Sequence, residues 1–353
     1  MCGICGIVHA DPARPVEPAW LTAMNEAQRH RGPDDQGYYL HGPAGLGHRR
    51  LSIIDLATGH QPMSNEDGSL WLVYNGELSN FPYLRSRLIQ AGHIFRTRSD
   101  SEVIIHAYEE YGCRCVEHFN GMFALALWDQ KRRSLFLARD RVGIKPLYYA
   151  LLPAGLIFAS ELKALLAHPG VCRTLDHEAL SQYLAYEYVP SPRSIFQDIK
   201  KLPPGHTLTY TDNRAALECY WDFPLELSES GQVRPLEACL EELQAALREA
   251  VRLELIADVP VGVLLSGGLD SSSIAAMLAA LQVPDIQSFA VGFEDPSFDE
   301  AAPARQMARH VGSRHHEITL TSRAMLELIP GLGHLLDEPL GDSSFIPTYL
   351  LSQ

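Results

Sequence analysis

The chain opens Met1-Cys2-Gly3-Ile4, with a thiol one residue from the terminus. Removal of Met1, which the small Cys2 favours, places a nucleophile and a free α-amine on one residue. An α-amine titrates at roughly 7.7–8.0, so near neutral pH part of it can take the thiol proton, directly or through one water. A cysteine at position two can also be an incidental residue at a frayed end. The residues that follow, Gly3-Ile4-Cys5-Gly6-Ile7-Val8, read as a buried strand and argue that this terminus is tied into the fold. A second chemical stretch is Ser266-Gly267-Gly268-Leu269-Asp270-Ser271-Ser272, set between an apolar run and a helix start. Two glycines admit close backbone approach, and a helix N-terminus presents free N–H groups, which together make a phosphate cradle. No Gly-Lys-Ser/Thr follows, so it is not a Walker loop. The plainer alternative is a Gly-rich turn with Ser271 as N-cap.

The elements that must position these residues fall into two patterns. Up to about residue 186, short apolar runs alternate with turn signals. Strands are expected at 6–10, 37–40, 51–55, 70–74, 122–129, 134–139, 147–150 and 156–159, with helices at 20–30, 81–91, 101–111 and 178–185. Many strands with few helices between them predict an α+β sandwich of antiparallel sheets between helices. A Pro-rich stretch at 190–204 and a polar break at 228–235 mark a boundary. Beyond it Leu236, Leu240, Leu243, Leu247 and Val251 recur at helical spacing. The apolar run 261–265 reads as a strand buried on both faces. Strands at 288–293 and 316–320 alternate with helices at 272–281 and 299–311, the pattern of a doubly wound parallel sheet. The expected domains are 1–190, a connection at 191–235, and 236–353.

Composition narrows the partners. The 353 residues carry a formal net charge of −14, which argues against nucleic acid and against an anionic membrane surface. No apolar run approaches the ~20 residues of a membrane span, and the N-terminus has no signal-peptide pattern. Seven cysteines without framework spacing fit a reducing, cytoplasmic setting. Cys113-x-Cys115 and His315-His316 are read as ordinary structural residues rather than metal ligands.

The motifs Cys2-Gly3-Ile4, Arg29-His30-Arg31-Gly32-Pro33-Asp34, Gly47-His48-Arg49-Arg50-Leu51-Ser52-Ile53-Ile54-Asp55, Asn75-Gly76-Glu77 and Ser99-Asp100 resemble, in order and spacing, the class II glutamine amidotransferase domain of glutamine-hydrolysing asparagine synthetases. Arg139-Asp140-x-x-Gly143-x-Lys145-Pro146-Leu147-Tyr148-Tyr149 and Ala159-Ser160-Glu161-x-Lys163 match the same family. The resemblance implies an N-terminal-nucleophile sandwich, followed here by a partial doubly wound α/β domain. Residue chemistry agrees with it. The Asn75 side-chain amide and the Gly76 N–H suit an oxyanion hole, each donor worth about 2.7–4 kcal/mol of barrier. Asn-Gly after a strand is also a type I′ hairpin signal, and both readings can hold. Arg50 suits a bidentate clamp on the glutamine α-carboxylate, with Arg49 a solvated surface charge. Asp100 would pair the α-ammonium, although Ser99-x-x-Glu102 also reads as a capping box. The family implies further glutamine contacts from Glu77 and from Leu51, Ser52, Ile53 and Ile54.

The glycine-rich loop resembles the pyrophosphate loop of enzymes that split ATP into AMP and pyrophosphate. On that resemblance Ser266, Gly267, Gly268, Ser271 and Ser272 hold phosphates, Asp270 is a Mg²⁺ ligand, and Leu265 and Val291 contact the nucleotide. The implied reaction is hydrolysis of glutamine at Cys2, passage of ammonia between domains, and adenylylation of the aspartate β-carboxylate by ATP. Ammonia then displaces AMP to give asparagine. Kept beside it are amidation of another carboxylate and glutaminase activity alone. The expected partners are glutamine, aspartate and ATP, with a homodimer as a candidate assembly. Asp337-Glu338-Pro339, Ser343-Ser344 and Pro347-Thr348-Tyr349-Leu350 resemble the approach to a second family loop, Ser-Gly-x-Gly-x-Asp-Glu. That loop does not occur before Gln353, so the sequence reads as a fragment or truncated product with a partial parallel sheet.

Overall fold

The computed structural model describes residues 1–224, 234–295, 297 and 299–352. Residues 225–233, which include most of the expected polar break, lie outside the described residues, as does Gln353. The chain divides into two compact units, one of residues Met1–Pro224 with Asp337–Leu340, the other of Leu225–Leu336 with Gly341–Gln353.

The strands of the first unit are β1 (Gly3–His9), β2 (Asp35–His41), β3 (Ala44–Arg50), β4 (Met63–Ser64), β5 (Leu70–Glu77), β6 (Met122–Asp129), β7 (Ser134–Arg139), β8 (Tyr148–Leu152), β9 (Gly155–Ala159), β10 (Ile199–Lys201), β11 (His206–Thr211) and β12 (Arg214–Cys219). Its helices are α1 (Pro18–Glu26), α2 (Phe81–Gln90), α3 (Asp100–Tyr111), α4 (Leu162–Leu166) and α5 (His177–Tyr186). They build two six-stranded sheets, ordered β10-β8-β9-β1-β3-β2 and β12-β11-β7-β6-β5-β4, with antiparallel pairing throughout. Ile4, Val8, Leu46, Val73, Ala126, Leu137 and Phe158 fill the space between the sheets. Leu84, Val103, Ile104 and Tyr108 of α2 and α3 cover the outer face of the second sheet, where Leu72 and Phe136 meet them. Leu21, Met24, Leu162 and Leu165 of α1 and α4 cover the first, against Cys5 and Ile157. The result is the expected four-layer sandwich. Each large apolar side chain so buried contributes on the order of 1.5–3 kcal/mol.

Strand β1 is buried along its whole length because it lies between β3 and β9. Gly6 is required there, since a Cβ would stand 2.4 Å from the Phe158 ring and 2.9 Å from the Gly45 carbonyl. Thus the residues after Cys2 are pinned in the centre of a sheet.

Three sequence expectations change. Residues 51–55 are not a strand: the strand is the preceding β3, and its last residue, Arg50, gathers the carbonyls of Ile54, Asp55 and Leu56 into a loop. The small and basic residues of Ala44–Arg50 concealed that strand, which is completely buried. The stretch expected to connect the domains instead carries β10, β11 and β12, which extend both sheets of the first unit. Segment 337–340 also belongs to this unit: Asp337 accepts the Leu162 N–H at 2.7 Å, and Glu338 pairs with Lys201.

In the second unit, α6 (Leu236–Glu254), β13 (Gly262–Leu264), α7 (Leu269–Ala280), β14 (Gln287–Phe293), α8 (Ala301–Val311) and β15 (Arg314–Leu320) follow in turn. The helices α9 (Ser322–Leu328), α10 (Leu332–Leu335) and α11 (Phe345–Leu351) complete it. The sheet β13-β14-β15 is parallel, with α7 and α8 as crossovers. Alanines 275, 290, 304 and 308 with Leu265 allow close helix–sheet packing. The run at 261–265 is not buried on both faces: Val263 and Leu265 are buried, while Val261 and Leu264 are exposed. Strand β13 sits at the sheet edge, where Leu264 instead lines a cavity. Among the described residues no helix is long and apolar enough to cross a membrane, and all seven cysteines are free.

Candidate active site

One cavity of the first unit collects Met1, Cys2, Arg50, Leu51, Ile53, Ile54, Asn75, Gly76, Glu77 and Asp100. These come from the start of β1, the end of β3 with its loop, the end of β5 and the start of α3. The sandwich brings three separate edges together at the N-terminus of the chain.

Cys2 Sγ accepts the Leu51 N–H at 3.4 Å and stands 3.6 Å from the Leu51 carbonyl. Burial raises its pKa, while the Leu51 N–H, the chain terminus and Arg50 pull it back. The terminal amine beside it is lowered, first by burial and then by Arg31 and Lys145. Arg31 donates to the Cys2 carbonyl at 2.8 Å and to Glu161 at 3.0 Å, which fixes the backbone at Cys2.

Asn75 and Gly76 lie inside β5, opposite Ala124 and Phe123, so the hairpin-turn alternative does not hold. The motif is a strand end because β5 continues to pair with β6 through Glu77. A Cβ on Gly76 would stand 2.3 Å from the Met122 carbonyl, so the close strand approach admits only glycine. Asn75 is 1 % exposed, and neither Nδ2 nor Oδ1 has a hydrogen-bond partner in the protein. A buried amide left unpaired costs about 1–3 kcal/mol, so its retention beside a thiol points to a partner that arrives with a ligand.

Arg50 lines the cavity, with Nη1 donating to Leu56 O at 3.3 Å and Nη2 to Ile54 O and Asp55 O at 3.1 and 2.6 Å. Arg49 is not a surface charge: it is buried and donates to Asn25 O and Glu26. In β3 the two arginines point to opposite faces, and both faces are covered. Ser52 is the one expected contact that does not line the cavity; its N–H is held by Asp34 at 2.8 Å.

Asp100 opens α3, where Ser99 is the N-cap through the Ser101 N–H. The capping box is half formed, because Glu102 accepts the Arg96 and Thr97 N–H groups instead of reaching back to Ser99. Asp100 Oδ2 accepts Tyr74 OH and Leu78 N–H, each at 3.0 Å. Burial nevertheless pushes its pKa up to about 6, with Glu77 adding to the rise. Gln61, Tyr74, Ser99, Ser101, Gly59 and Lys145 also line the cavity and were not expected there. Lys145 stood within a quoted motif, and the structure shows the motif's work. Asp140 accepts the N–H groups of Phe123, Ile144 and Lys145, and Arg139 donates to Gly143 O and Lys145 O. Gln61 carried no signal, since only tertiary contact places its amide between Tyr74 N and Ser101 Oγ.

In the second unit, helix α7 begins at Leu269, three residues earlier than expected, with Gly268 rather than Ser271 as N-cap. No side chain caps this helix, so its first N–H groups face the loop. Ser266 Oγ and Ser271 Oγ are 3.0 Å apart, and Gly267 takes a φ of 83°. Asp270 is exposed in the first turn of α7. A cavity of 570 Å³ is lined by Leu265, Ser266 and Val291, with Phe293, Ser343 and Thr348. Gly267, Gly268, Asp270, Ser271 and Ser272 are not part of its lining.

The family profile described as a glutamine amidotransferase domain matches residues 1–221, and that of asparagine synthase matches 242–353. The chain is 34% identical over 359 residues to "Asparagine synthetase [glutamine-hydrolyzing] 1" of Bacillus subtilis, covering 100% of this chain and 55% of that protein. It is 34% identical over 375 residues to "Putative asparagine synthetase [glutamine-hydrolyzing] 2" of Methanocaldococcus jannaschii, covering 100% of this chain and 71% of that protein. "Amidase chyE" of Penicillium rubens is 38% identical over 84% of this chain and 46% of its own length. The chain thus spans roughly half to seven-tenths of these relatives. Among solved structures, a B. subtilis glutamine phosphoribosylpyrophosphate amidotransferase aligns with TM-score 0.47 at 17% identity, covering 90% of this chain and 81% of that one.

Proposed function

Because the chain belongs to the glutamine-hydrolysing asparagine synthetase family, we propose that its first unit hydrolyses glutamine at Cys2 and its second uses ATP to activate aspartate for amidation. The observation that carries this reading is the unpaired, buried Asn75 amide, in one cavity with the Cys2 thiol and the Asp100 carboxylate. Once Met1 is removed, the Cys2 α-amine takes the thiol proton and Sγ attacks the glutamine side-chain amide carbon. The oxyanion that develops draws hydrogen bonds from Asn75 Nδ2 and Gly76 N–H, donors already in place before reaction. The proton passes to the departing ammonia, and water releases glutamate from the thioester.

Asp100 pairs with the glutamine α-ammonium, and Glu77 adds negative charge at the same end. Arg50 acts in a modified way. Its guanidinium is engaged by three carbonyls, so it shapes the Leu51–Leu56 backbone and contributes positive potential to the α-carboxylate. In the second unit the uncapped start of α7 with Ser266 and Ser271 suits the nucleotide phosphates. Asp270, an exposed oxygen donor in the first turn of α7, would hold a Mg²⁺, and such an ion would neutralise phosphate charge. Ammonia displaces AMP from the activated β-carboxylate and gives asparagine. Amidation of a different carboxylate is the alternative against which this reading is tested.

The test is one set of assays on purified chain given glutamine, Mg-ATP and aspartate or other carboxylates, reading glutamate, pyrophosphate and amide product. Cys2→Ala is expected to reduce glutamate release to background, and retained turnover would refute the nucleophile. Pyrophosphate release stimulated by another carboxylate and not by aspartate would overturn the acceptor.

A further inference from the structure

We propose that His93, His106 and Glu109 form a binding site for one divalent transition-metal ion of the zinc class. The site lies outside the Cys2 cavity and belongs to the loop before α3 and the helix itself. His106 and Glu109, three residues apart, share a face of α3, and His93 reaches them from the loop. One ligand atom from each residue lies within 4.8 Å of the other two. His106 Nδ1 is 2.7 Å and His93 Nδ1 3.4 Å from Glu109 Oε2. Bonds of about 2.0–2.1 Å to a tetrahedral zinc separate ligand atoms by roughly 3.3 Å, so small side-chain shifts complete three corners and leave one for water.

The atoms facing away from this point supply an independent argument. A metal-bound histidine commonly donates its other ring N–H to a carboxylate, and a ligating carboxylate is itself hydrogen-bonded. Glu109 meets this pattern, and the two imidazoles turn their other ring nitrogens toward carboxylates at longer range. His93 Nε2 faces Glu110 at 3.5 Å, and Glu109 Oε1 accepts from Asn65 Nδ2 at 2.9 Å. His106 is 1 % exposed, and its Nε2 has no hydrogen-bond partner, with Glu102 at 3.8 Å and Glu66 at 4.0 Å as the carboxylates it faces. Glu102 is itself fixed by the Arg96 and Thr97 N–H groups. Two imidazoles and one carboxylate suit zinc in preference to calcium or magnesium, which require more oxygen donors. The ion would fasten the loop carrying His93 to α3, the helix that begins with Asp100.

The probe is zinc alone, titrated by calorimetry into the 353-residue chain whose accessible thiols have been alkylated, with thermal melts in parallel. One zinc equivalent and a raised Tm are expected. His93→Ala and Glu109→Gln, both at the accessible rim, are expected to lose that equivalent and the Tm shift while folding normally. Glu110→Gln is expected to weaken binding about 10–100-fold. Absence of zinc binding, or binding unaltered in His93→Ala and Glu109→Gln, overturns the site and leaves a hydrogen-bonded histidine–carboxylate network.

Discussion

Asn75→Ala separates catalysis from stability, because the two should move in opposite directions. The amide of Asn75 is 1 % exposed and has no partner in the protein, so the substitution breaks no native hydrogen bond. Relieving an unsatisfied buried amide returns about 1–3 kcal/mol. Against this stands the space left by three heavy atoms, about 1 kcal/mol at ~24 cal/mol per Å³. The net change runs from about zero to about +2 kcal/mol, and 1 kcal/mol moves Tm by about 2–4 °C in a unit of this size. Melting temperature should therefore hold or rise by a few degrees. Catalysis should fall instead, since one oxyanion donor is worth about 2.7–4 kcal/mol, or 10²–10³ in kcat. KM should change far less, because the bond is made chiefly in the transition state. Glutamate release at saturating glutamine, with a melt of the same sample, reads both quantities. A kcat within threefold of the parent would remove Asn75 from the oxyanion hole. A large fall in Tm would show that the amide is a structural partner.

Asp100 gives a pH dependence. Its pKa of about 6 lies above the unfolded value, so its contribution to stability is full below about pH 4 and is lost as pH rises through about 6. Binding needs the ionised form, so KM for glutamine should climb as pH falls through about 6, and Asp100→Asn should show a high KM with no such climb. Arg50→Ala leaves the carbonyls of Ile54, Asp55 and Leu56 without their donor. We expect KM to rise by at least tenfold and proteolysis within the 51–59 loop to accelerate; an unchanged KM would take Arg50 out of the site. Gly267 holds φ 83°, and a Cβ there would stand 2.6 Å from the Ala304 N. Gly267→Ala should therefore lower aspartate-dependent pyrophosphate release by at least tenfold, and an unaltered rate would show that the loop tolerates a side chain.

Cys2, Asn75, Gly76 and Asp100 could be singled out from their chemical types together with the family resemblance, whereas Gly59, Gln61 and Tyr74 of the same cavity could not. Periodicity was informative where one face of an element is buried. Strands β6 and β7 have the bounds read from the apolar runs, and α2 and α3 differ from theirs by one residue. What escaped depends on contacts distant in sequence. Strand β3, rich in glycine and arginine, has no apolar signature, yet it is buried because β1 and β2 flank it and helix α1 covers it. Asn75-Gly76 has the local preference of a turn, but pairing with β6 overrides it and converts a hairpin signal into a strand end. Arg49 and Arg50 are adjacent and chemically identical. Only the sheet, by sending alternate side chains to opposite faces, gives one to Glu26 and the other to the loop beside Cys2. Sequence therefore determined which chemistry is available, since that depends on residue type. The tertiary structure decided which groups are buried, which are left without partners and which share a cavity, because those properties arise only when distant segments meet.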